Sequence, residues 1–193
     1  MTLDPLYAFV FFGLFSPGPN VVLLTASGAR FGFWPTLPHL MGVVAGVGIT
    51  SGLTGLGIGA ALAAMPVLSL ALRIASAAWI LYMALTLWRS DPSRRNGGER
   101  PMTFVEAVLF QWVNPKVWAV AFAAVSAYPS GLAPWQEALR LGSAFSGINF
   151  GVCLFWTSTG AFLTYLLTTP VAWRVFTRVM AAALAAFSVM LFL

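Results

Sequence analysis

The chain has 193 residues, of which 60% are hydrophobic and only 8% are charged. Soluble domains typically carry about 25% charged residues, and a mean hydropathy of +0.88 over the whole chain excludes a soluble fold and requires a lipid environment. The net charge of +5 comes from arginines grouped in a few loops, which is typical of membrane topology signals rather than of nucleic-acid binding. Because Cys153 is the only cysteine, an intramolecular disulfide is excluded.

Six apolar runs separated by polar stretches are predicted to be transmembrane helices. The first begins with Asp4 as its N-cap and Pro5 at the first helical position, and a proline-rich sequence at 16–20 interrupts it. The second, at about 36–65, is rich in glycine, and its length of about 30 residues implies a tilt or a bend.

The other four runs lie at 66–88, 103–127, 134–169 and 170–193. The fourth run of the chain is interrupted at 114–116, as the first is at 16–20. A polar stretch at 90–101 predicts a loop that joins two halves. We therefore expect one transmembrane domain at 1–193, divided into repeat one at about 1–89, a cytoplasmic loop at 90–102 and repeat two at about 103–193.

The arginines are distributed unequally between the two ends of these helices. The loops after helices one, three and five contain Arg30, Arg89, Arg94, Arg95, Arg100, Arg174 and Arg178, whereas the opposite end has only Arg73 and Arg140. The positive-inside rule predicts that the first group is cytoplasmic. Both termini are then periplasmic, in a bacterial inner membrane.

Two interruptions lie at matched positions in the first and fourth runs. Pro17 follows Pro5 by 12 residues, and Pro115 follows Thr103 by the same 12. Each break lies ~18 Å into its helix, near the middle of a hydrocarbon core about 30 Å thick. Because an odd number of helices separates the breaks, the second half is inverted relative to the first. The pattern predicts an all-α membrane protein of six transmembrane helices, arranged as two inverted three-helix repeats with helices one and four broken.

The breaks are also predicted to form the transport site. Prolines lack an N–H and leave carbonyls of the preceding turn unpaired, and such groups are tolerated at membrane depth only against protein or a watery cavity. The helices that restart near Asn20 and Lys116 would direct N–H groups at this cavity, which suits a carboxylate. The alternative is a pair of ordinary proline kinks. The predicted substrate-binding residues are Ser16, Pro17, Gly18, Pro19, Asn20, Gln111, Asn114, Pro115, Lys116 and Asn149.

Few titratable residues accompany these breaks. A lysine at mid-depth is costly, so Lys116 is expected to hold a substrate carboxylate or an acidic partner, with snorkelling to the interface as the alternative. Glu106 and His39 are candidates for proton coupling. The sequence from Thr103 to Glu106 is, however, a capping box, which favours a capping role, and His39 follows Pro38 and is interpreted rather as interfacial. No metal site and no cofactor are expected.

Three segments together resemble a known family. They are Ser16-Pro17-Gly18-Pro19-Asn20, Gln111-Trp112-Val113-Asn114-Pro115-Lys116 and the third-helix pattern Trp79-Ile80-Leu81-Tyr82-Met83-Ala84. The chain resembles the lysine/homoserine exporter (LysE/RhtB) translocators over essentially its whole length. The resemblance implies a secondary exporter of amino acids and related small molecules, driven by proton motive force. Many relatives have aspartate where Asn20 stands, and glycine where Ala84 and Ala107 stand; the loss of that aspartate argues against a cationic substrate.

Other functions stay open beside this one. A membrane enzyme would need convergent nucleophiles, metal ligands or acid–base pairs, whereas the chain has one histidine and one cysteine. A structural membrane protein has no need of paired midplane breaks, and few soft or acidic ligands are present for a transported metal ion. The expected partners are a small-molecule substrate with proton coupling, membrane lipid and no nucleic acid. Small-residue spacings such as Gly42/Gly46 and Gly147/Gly151 predict helix-packing surfaces, and exposed ones make a homodimer an expectation.

Overall fold

The computed structural model describes residues 4–58, 61, 64–90 and 100–192. Within these ranges the regular structure is entirely helical, which confirms the predicted all-α class. Eight helices have defined bounds in this part of the chain: α1 (Pro5–Phe15), α2 (Pro19–Phe31), α3 (Phe33–Gly55), α4 (Pro66–Trp88), α5 (Phe104–Val113), α6 (Pro115–Ala127), α7 (Pro134–Leu163) and α8 (Pro170–Met190).

Helix starts are set by the capping residues that the sequence predicts. Asp4 Oδ1 accepts a hydrogen bond from the Leu6 amide at 3.0 Å. Thr103 and Glu106 form the predicted capping box, in which each side chain accepts from the other residue's backbone N–H. Each pair satisfies amides that a helix leaves unpaired at its start.

The two predicted breaks are present. Helices α1 and α2 are bent by 58° at residues 16–18, and helices α5 and α6 are bent by 63° at Asn114. Helices α3, α4, α7 and α8 each contain a segment long and apolar enough to cross a membrane. Counting each bent pair as one span gives six spans, the predicted number.

The predicted second run is wrong in its extent. Helix α3 has 23 residues and covers Phe33–Gly55 rather than about 36–65. It follows α2 directly through Gly32, and soon after its end the chain turns at Gly57; both glycines have a positive φ, of 86° and 89°, which favours glycine. A turn there ends the helix even though the apolar composition continues. The predicted polar loop falls mostly on 91–99, which lie outside the described residues.

Helices α3 and α7 form the centre of the bundle. Helix α3 packs against α5 and α6, and α7 packs against α1 and α2. Each broken pair therefore packs against the second membrane span of the other half, which is α3 or α7. Glycines permit these close approaches: a Cβ at Gly42 would lie 2.3 Å from the Phe104 carbonyl oxygen, and one at Gly160 would lie 2.1 Å from that of Thr25. The predicted packing role of the Gly42 surface is therefore confirmed.

Gly147 and Gly151 do not pack against another helix in the described part of this chain. A Cβ at either position would meet no described atom within 4 Å, so the packing predicted for this pair is wrong within one protomer. The homodimer that exposed small residues suggest remains a prediction.

Corresponding helices of the two halves are antiparallel, as an inverted repeat requires. In the broken pair, Gly13 faces Val120 while Asn20, further along, bonds to Gln111. The same reversal relates α3 to α7, where Gly48 faces Ser146 and Gly55 faces Ala138.

Helices α4 and α8 repeat the antiparallel arrangement. The Ser188 hydroxyl donates to the Ala77 carbonyl at 3.1 Å, and at the other end Arg178 lies 5.2 Å from the centre of the Trp88 ring.

Candidate functional site

A side chain from the second broken helix forms hydrogen bonds with the backbone of the first break. Helix α1 ends before Ser16, whose backbone is extended, and α2 begins at Pro19. The ammonium of Lys116 donates to the carbonyl oxygens of Ser16 and Pro17, the latter at 3.4 Å. These carbonyls belong to the non-helical segment between α1 and α2. Lys116 is half-buried and turned toward this backbone, and it therefore supplies a donor to acceptors that have no helical partner in the break.

Gly18 provides the space for that contact. A Cβ at this position would lie 2.7 Å from Lys116 Cδ and 2.9 Å from its Nζ. The backbone of Gly18 is extended, with φ −175° and ψ 179°, so other residues could adopt this conformation. Glycine is required here by the approach of the lysine and not by backbone strain.

At the second break, backbone groups form hydrogen bonds with a side chain of the same segment and with a side chain of α4. The Asn114 side chain accepts from the Lys116 amide at 3.3 Å and caps α6. The carbonyl of Val113 accepts from the hydroxyl of Ser76, which is 2% exposed. Ser76 is absent from the residues predicted from the sequence; its one visible signal is a hydroxyl inside an apolar run.

An amide network joins the two breaks. Asn20 Nδ2 donates to Gln111 Oε1 at 2.8 Å, and Gln111 Nε2 donates to Asn20 Oδ1 at 3.1 Å. Gln111 also donates to the Ala107 carbonyl at 3.0 Å and accepts from Asn114 Nδ2 at 3.2 Å. The fully buried Gln111 amide therefore uses both its donors and accepts two bonds on its oxygen. The two halves are interlocked at this point.

A small cavity lies beside this network. Its volume is about 20 Å³, enough for about one water molecule. Its polar wall consists of Asn20, Asn114, Lys116 and Asn149, and the remainder is Leu14, Gly18, Val21, Leu24, Val117, Val152, Cys153 and Trp156. The structure therefore brings both breaks and Asn149 of α7 to one cavity.

Two residues that line this cavity carry unpaired donors. Asn149 is 3% exposed, and its Nδ2 has no hydrogen-bond partner among the described residues. The indole Nε1 of Trp156 also lacks one. No carboxylate of the described chain lines the cavity. A wall with a lysine and two unpaired N–H groups can accept an anionic group such as a carboxylate.

The two candidates for proton coupling lie away from this cavity. Glu106 is at the start of α5, where two hydrogen bonds of 2.7 and 2.6 Å join its carboxylate to Arg100. His39 is in the second turn of α3 and is only 2% exposed. Within the described ranges no three His, Cys, Asp or Glu side chains are grouped to hold a metal ion.

Comparison with known proteins identifies the family of this chain. No curated protein and no solved structure matches the chain. A family model described as LysE type translocator matches residues 11–193, a range that includes both breaks and Asn149. The chain thus belongs to the LysE type translocator family, and it is a multi-pass membrane protein of a transporter family with small-molecule substrates.

Proposed function

We propose that this protein is a secondary transporter that exports neutral amino acids or closely related solutes across the bacterial inner membrane. The observation that carries the proposal is the cavity between the two interlocked breaks, because both halves contribute to its polar wall: Asn20 comes from the first half, and Asn114, Lys116 and Asn149 come from the second. Substrate sites of inverted-repeat transporters are typically formed by discontinuous helices near the midplane.

The polar wall supports recognition of the solute's carboxylate. Lys116 supplies a positive charge, and only two of the three protons of its ammonium are directed at backbone carbonyls. The free Nδ2 of Asn149 supplies a second donor from α7. A carboxylate between these groups would receive charge-assisted hydrogen bonds, which are roughly twice as strong as neutral ones.

The rest of the wall supports an uncharged side chain. Val21, Val152 and Trp156 are among the apolar residues there, and the described lining holds no carboxylate for a cationic group. Asn20 is neutral, and its amide is already paired with Gln111. A solute with a second positive charge would therefore lose hydration without gaining a partner.

The cavity must enlarge during transport. A volume of about 20 Å³ cannot hold an amino acid, whereas ligand pockets are typically about 300–1,000 Å³. The cavity in this conformation is therefore too small for the solute. Opening requires a half-helix of one break to move relative to the other half, as in alternating access.

The test is transport into proteoliposomes that contain the purified protein. Radiolabelled leucine, lysine, glutamate and a divalent metal ion would be compared, with and without a proton gradient. We expect leucine to be taken up faster than lysine or the metal ion, and we expect the gradient to stimulate uptake. Lys116→Met should lower this uptake by tenfold or more, whereas Arg174→Gln, an exposed control on α8, should not change it. A preference for lysine or for the metal ion would overturn the substrate assignment.

A further inference from the structure

The two broken spans pack against each other more closely at one end of the bundle than at the other. Helix α1, the first half of one span, packs against α6, the second half of the other. The backbones are close there, since a Cβ at Gly13 would lie 2.7 Å from Val120 Cγ1. The other two half-helices, α2 and α5, form no packing of comparable extent. Among the described residues, the bundle is therefore closed more tightly at the end where α1 begins and α6 ends.

An apolar plug fills this end of the bundle above the midplane cavity. Leu14 and Val117 line the cavity itself. The plug consists of side chains of α1, α6 and α7 that are fully buried in one apolar cluster: Leu6, Val10, Ala121, Ala124, Leu141 and Phe145. Between Leu14 and Leu6 the helix rises ~12 Å. Because a carboxylate is costly to move through an apolar layer, α1 or α6 must move aside before the cavity can open at this end.

One arginine joins all three helices at the outer surface of the plug. The guanidinium of Arg140, in the second turn of α7, lies 3.4 Å from Asp4 Oδ2 at the start of α1. It donates to the carbonyl of Tyr128, at the end of α6, at 3.2 Å. It also donates to Glu137 Oε1 on its own helix at 3.0 Å, and the Glu137 carboxylate accepts from the Ser130 hydroxyl. The fan of donors of a guanidinium allows one side chain to make all these contacts.

The contacts of Arg140 differ in how easily they can be released. The side chain of Glu137 is 10% exposed, so its ion pair with Arg140 is shielded from water. The side chain of Asp4 is 45% exposed, and its bond to Arg140 is long. Ion pairs that water can reach are weak, and their charges can be solvated after separation. Arg140 can therefore stay with Glu137 on α7 while α1 moves away from both.

From this geometry we propose that Arg140, Asp4 and the Tyr128 carbonyl form a latch that closes the midplane cavity at this end. Release of the latch lets α1 and α6 separate, and the plug between them opens. Glu137 is a positioning residue that keeps the guanidinium on α7 in both states. The closure itself depends on no substrate, whereas the solute that passes when the latch opens rests on the proposed function.

The first test measures opening without any substrate. Cys153, the only cysteine of the chain, lines the midplane cavity and is 1% exposed, so its reaction rate reports access to the cavity. The membrane-impermeant sulfonatoethyl methanethiosulfonate would be applied from the side at which Leu132→Cys, exposed near the latch, is labelled. Arg140→Gln should raise the rate at Cys153 by about fivefold or more, because loss of the latch shifts the equilibrium toward the open state.

A matched ion pair at the opposite end provides the control. Arg100 and Glu106 are paired at 2.6 Å, and both lie in the segment at the start of α5. Arg100→Gln removes the same charge as Arg140→Gln but breaks no link between α1, α6 and α7. The rate at Cys153 should then stay within about 1.5-fold of the wild type, since the lost charge is distant and screened. Equal rates in the wild type and Arg140→Gln would overturn the latch.

A milder variant separates the latch from the stability of the fold. Asp4 caps α1 through Oδ1 and contacts Arg140 through Oδ2. Asp4→Asn keeps a good N-cap and removes only the charge. Thermal stability in detergent should therefore be unchanged, while labelling of Cys153 becomes faster, by less than in Arg140→Gln. A wild-type labelling rate in Asp4→Asn would overturn the link between α1 and α7.

The closing experiment locks the plug with a disulfide. A Cβ at Gly13 would lie 3.7 Å from Val120 Cβ, within the range that disulfides span. Gly13→Cys with Val120→Cys, in a Cys153→Ala background, would be oxidised and assayed for leucine transport in proteoliposomes. Transport should be lost when the disulfide forms and return with dithiothreitol, whereas Val120→Cys alone should respond to neither treatment.

Each other outcome of this experiment has a definite meaning. Transport by the fully cross-linked protein would overturn the latch, and failure of the disulfide to form would contradict the packing of α1 against α6. If the wild type does not transport leucine, the proposed function fails. Faster labelling of Cys153 in Arg140→Gln and Asp4→Asn would still support the latch in that case.

Discussion

The amides of Asn20 and Gln111 donate to each other at 2.8 and 3.1 Å, although 91 positions separate the two residues. Each lies near a proline break, and the pair links the first and the second broken helix directly, as the bonds from Lys116 to the carbonyls of Ser16 and Pro17 also do. A reciprocal amide pair in an apolar interior is well satisfied. It fixes the two breaks relative to each other, and several consequences can be measured.

The amide pair should be energetically coupled. Gln111→Leu leaves the Nδ2 groups of Asn20 and Asn114 without their acceptor in a buried site, which should destabilise the protein by about 1–3 kcal/mol. In a double-mutant cycle, Asn20→Ala and Gln111→Ala should be non-additive by about 0.5–3 kcal/mol. The measurement is thermal unfolding in detergent, with Gln136→Ala, at the start of α7, as the control. Additive effects would mean that the pair does not link the halves.

The contact between Gly18 and Lys116 gives a second prediction. A Cβ at position 18 would displace the end of a flexible side chain and not the backbone, so Gly18→Ala should fold with little change in stability. Transport should nevertheless fall by about tenfold, since the displaced ammonium no longer meets the solute carboxylate with a charge-assisted hydrogen bond, which is worth about 1.5–3 kcal/mol. Gly147→Ala is the matched control, because nothing lies within 4 Å of the added methyl group. Normal transport by Gly18→Ala would show that the position of the Lys116 ammonium does not matter for transport.

Removal of the lysine itself should have the same phenotype. Lys116→Met eliminates a charge that is costly in the membrane, so the variant should still insert and fold. The carbonyls of Ser16 and Pro17 lose their donor at the same time, which should limit any gain in stability. We expect transport to fall by tenfold or more while the detergent-solubilised protein remains monodisperse. Wild-type rates in this variant would leave Lys116 a purely structural residue.

The topology is a separate prediction, from the arginine distribution. Single cysteines at Asn96, in the predicted cytoplasmic loop, and at Leu132, which is exposed before α7, would be prepared without Cys153. A membrane-impermeant thiol reagent applied to intact cells should label position 132 and spare position 96. Labelling of position 96 alone would invert the topology: the arginine-rich end would be periplasmic and both termini would be cytoplasmic.

Local rules account for the features that could be read from the sequence. Both breaks follow from proline chemistry, and the caps at Asp4 and Thr103 follow from residue type and spacing, because these effects act within one helix. The bonds from Lys116 to Ser16 and from Ser76 to Val113 join different helices, at separations of 100 and 37 residues, and no local rule specifies them.

The failed expectations have related causes. Hydropathy could not locate the turn at Gly57, since the composition stays apolar after α3. Spacing alone also could not distinguish Gly42, which packs against α5, from Gly147, which packs against none of the described residues of the same chain. In both cases the missing information is the position of a neighbouring element, which a one-helix pattern does not contain.

The central claim is that both breaks together form one transport site, and straightening each helix tests it most directly. Pro17→Ala with Pro19→Ala restores two backbone donors to the first span, and Pro115→Ala restores one to the second. Each span could then continue as a straight helix, without the cost of ~3 kcal/mol that a proline in a helix interior carries. Pro66→Ala and Pro134→Ala, at the first positions of α4 and α7, are the matched controls. In the proteoliposome assay, leucine uptake should collapse in both break variants and persist in both controls, with thermal stability equal to or above that of the wild type. Retained uptake after either break is straightened would contradict a single site built from both halves.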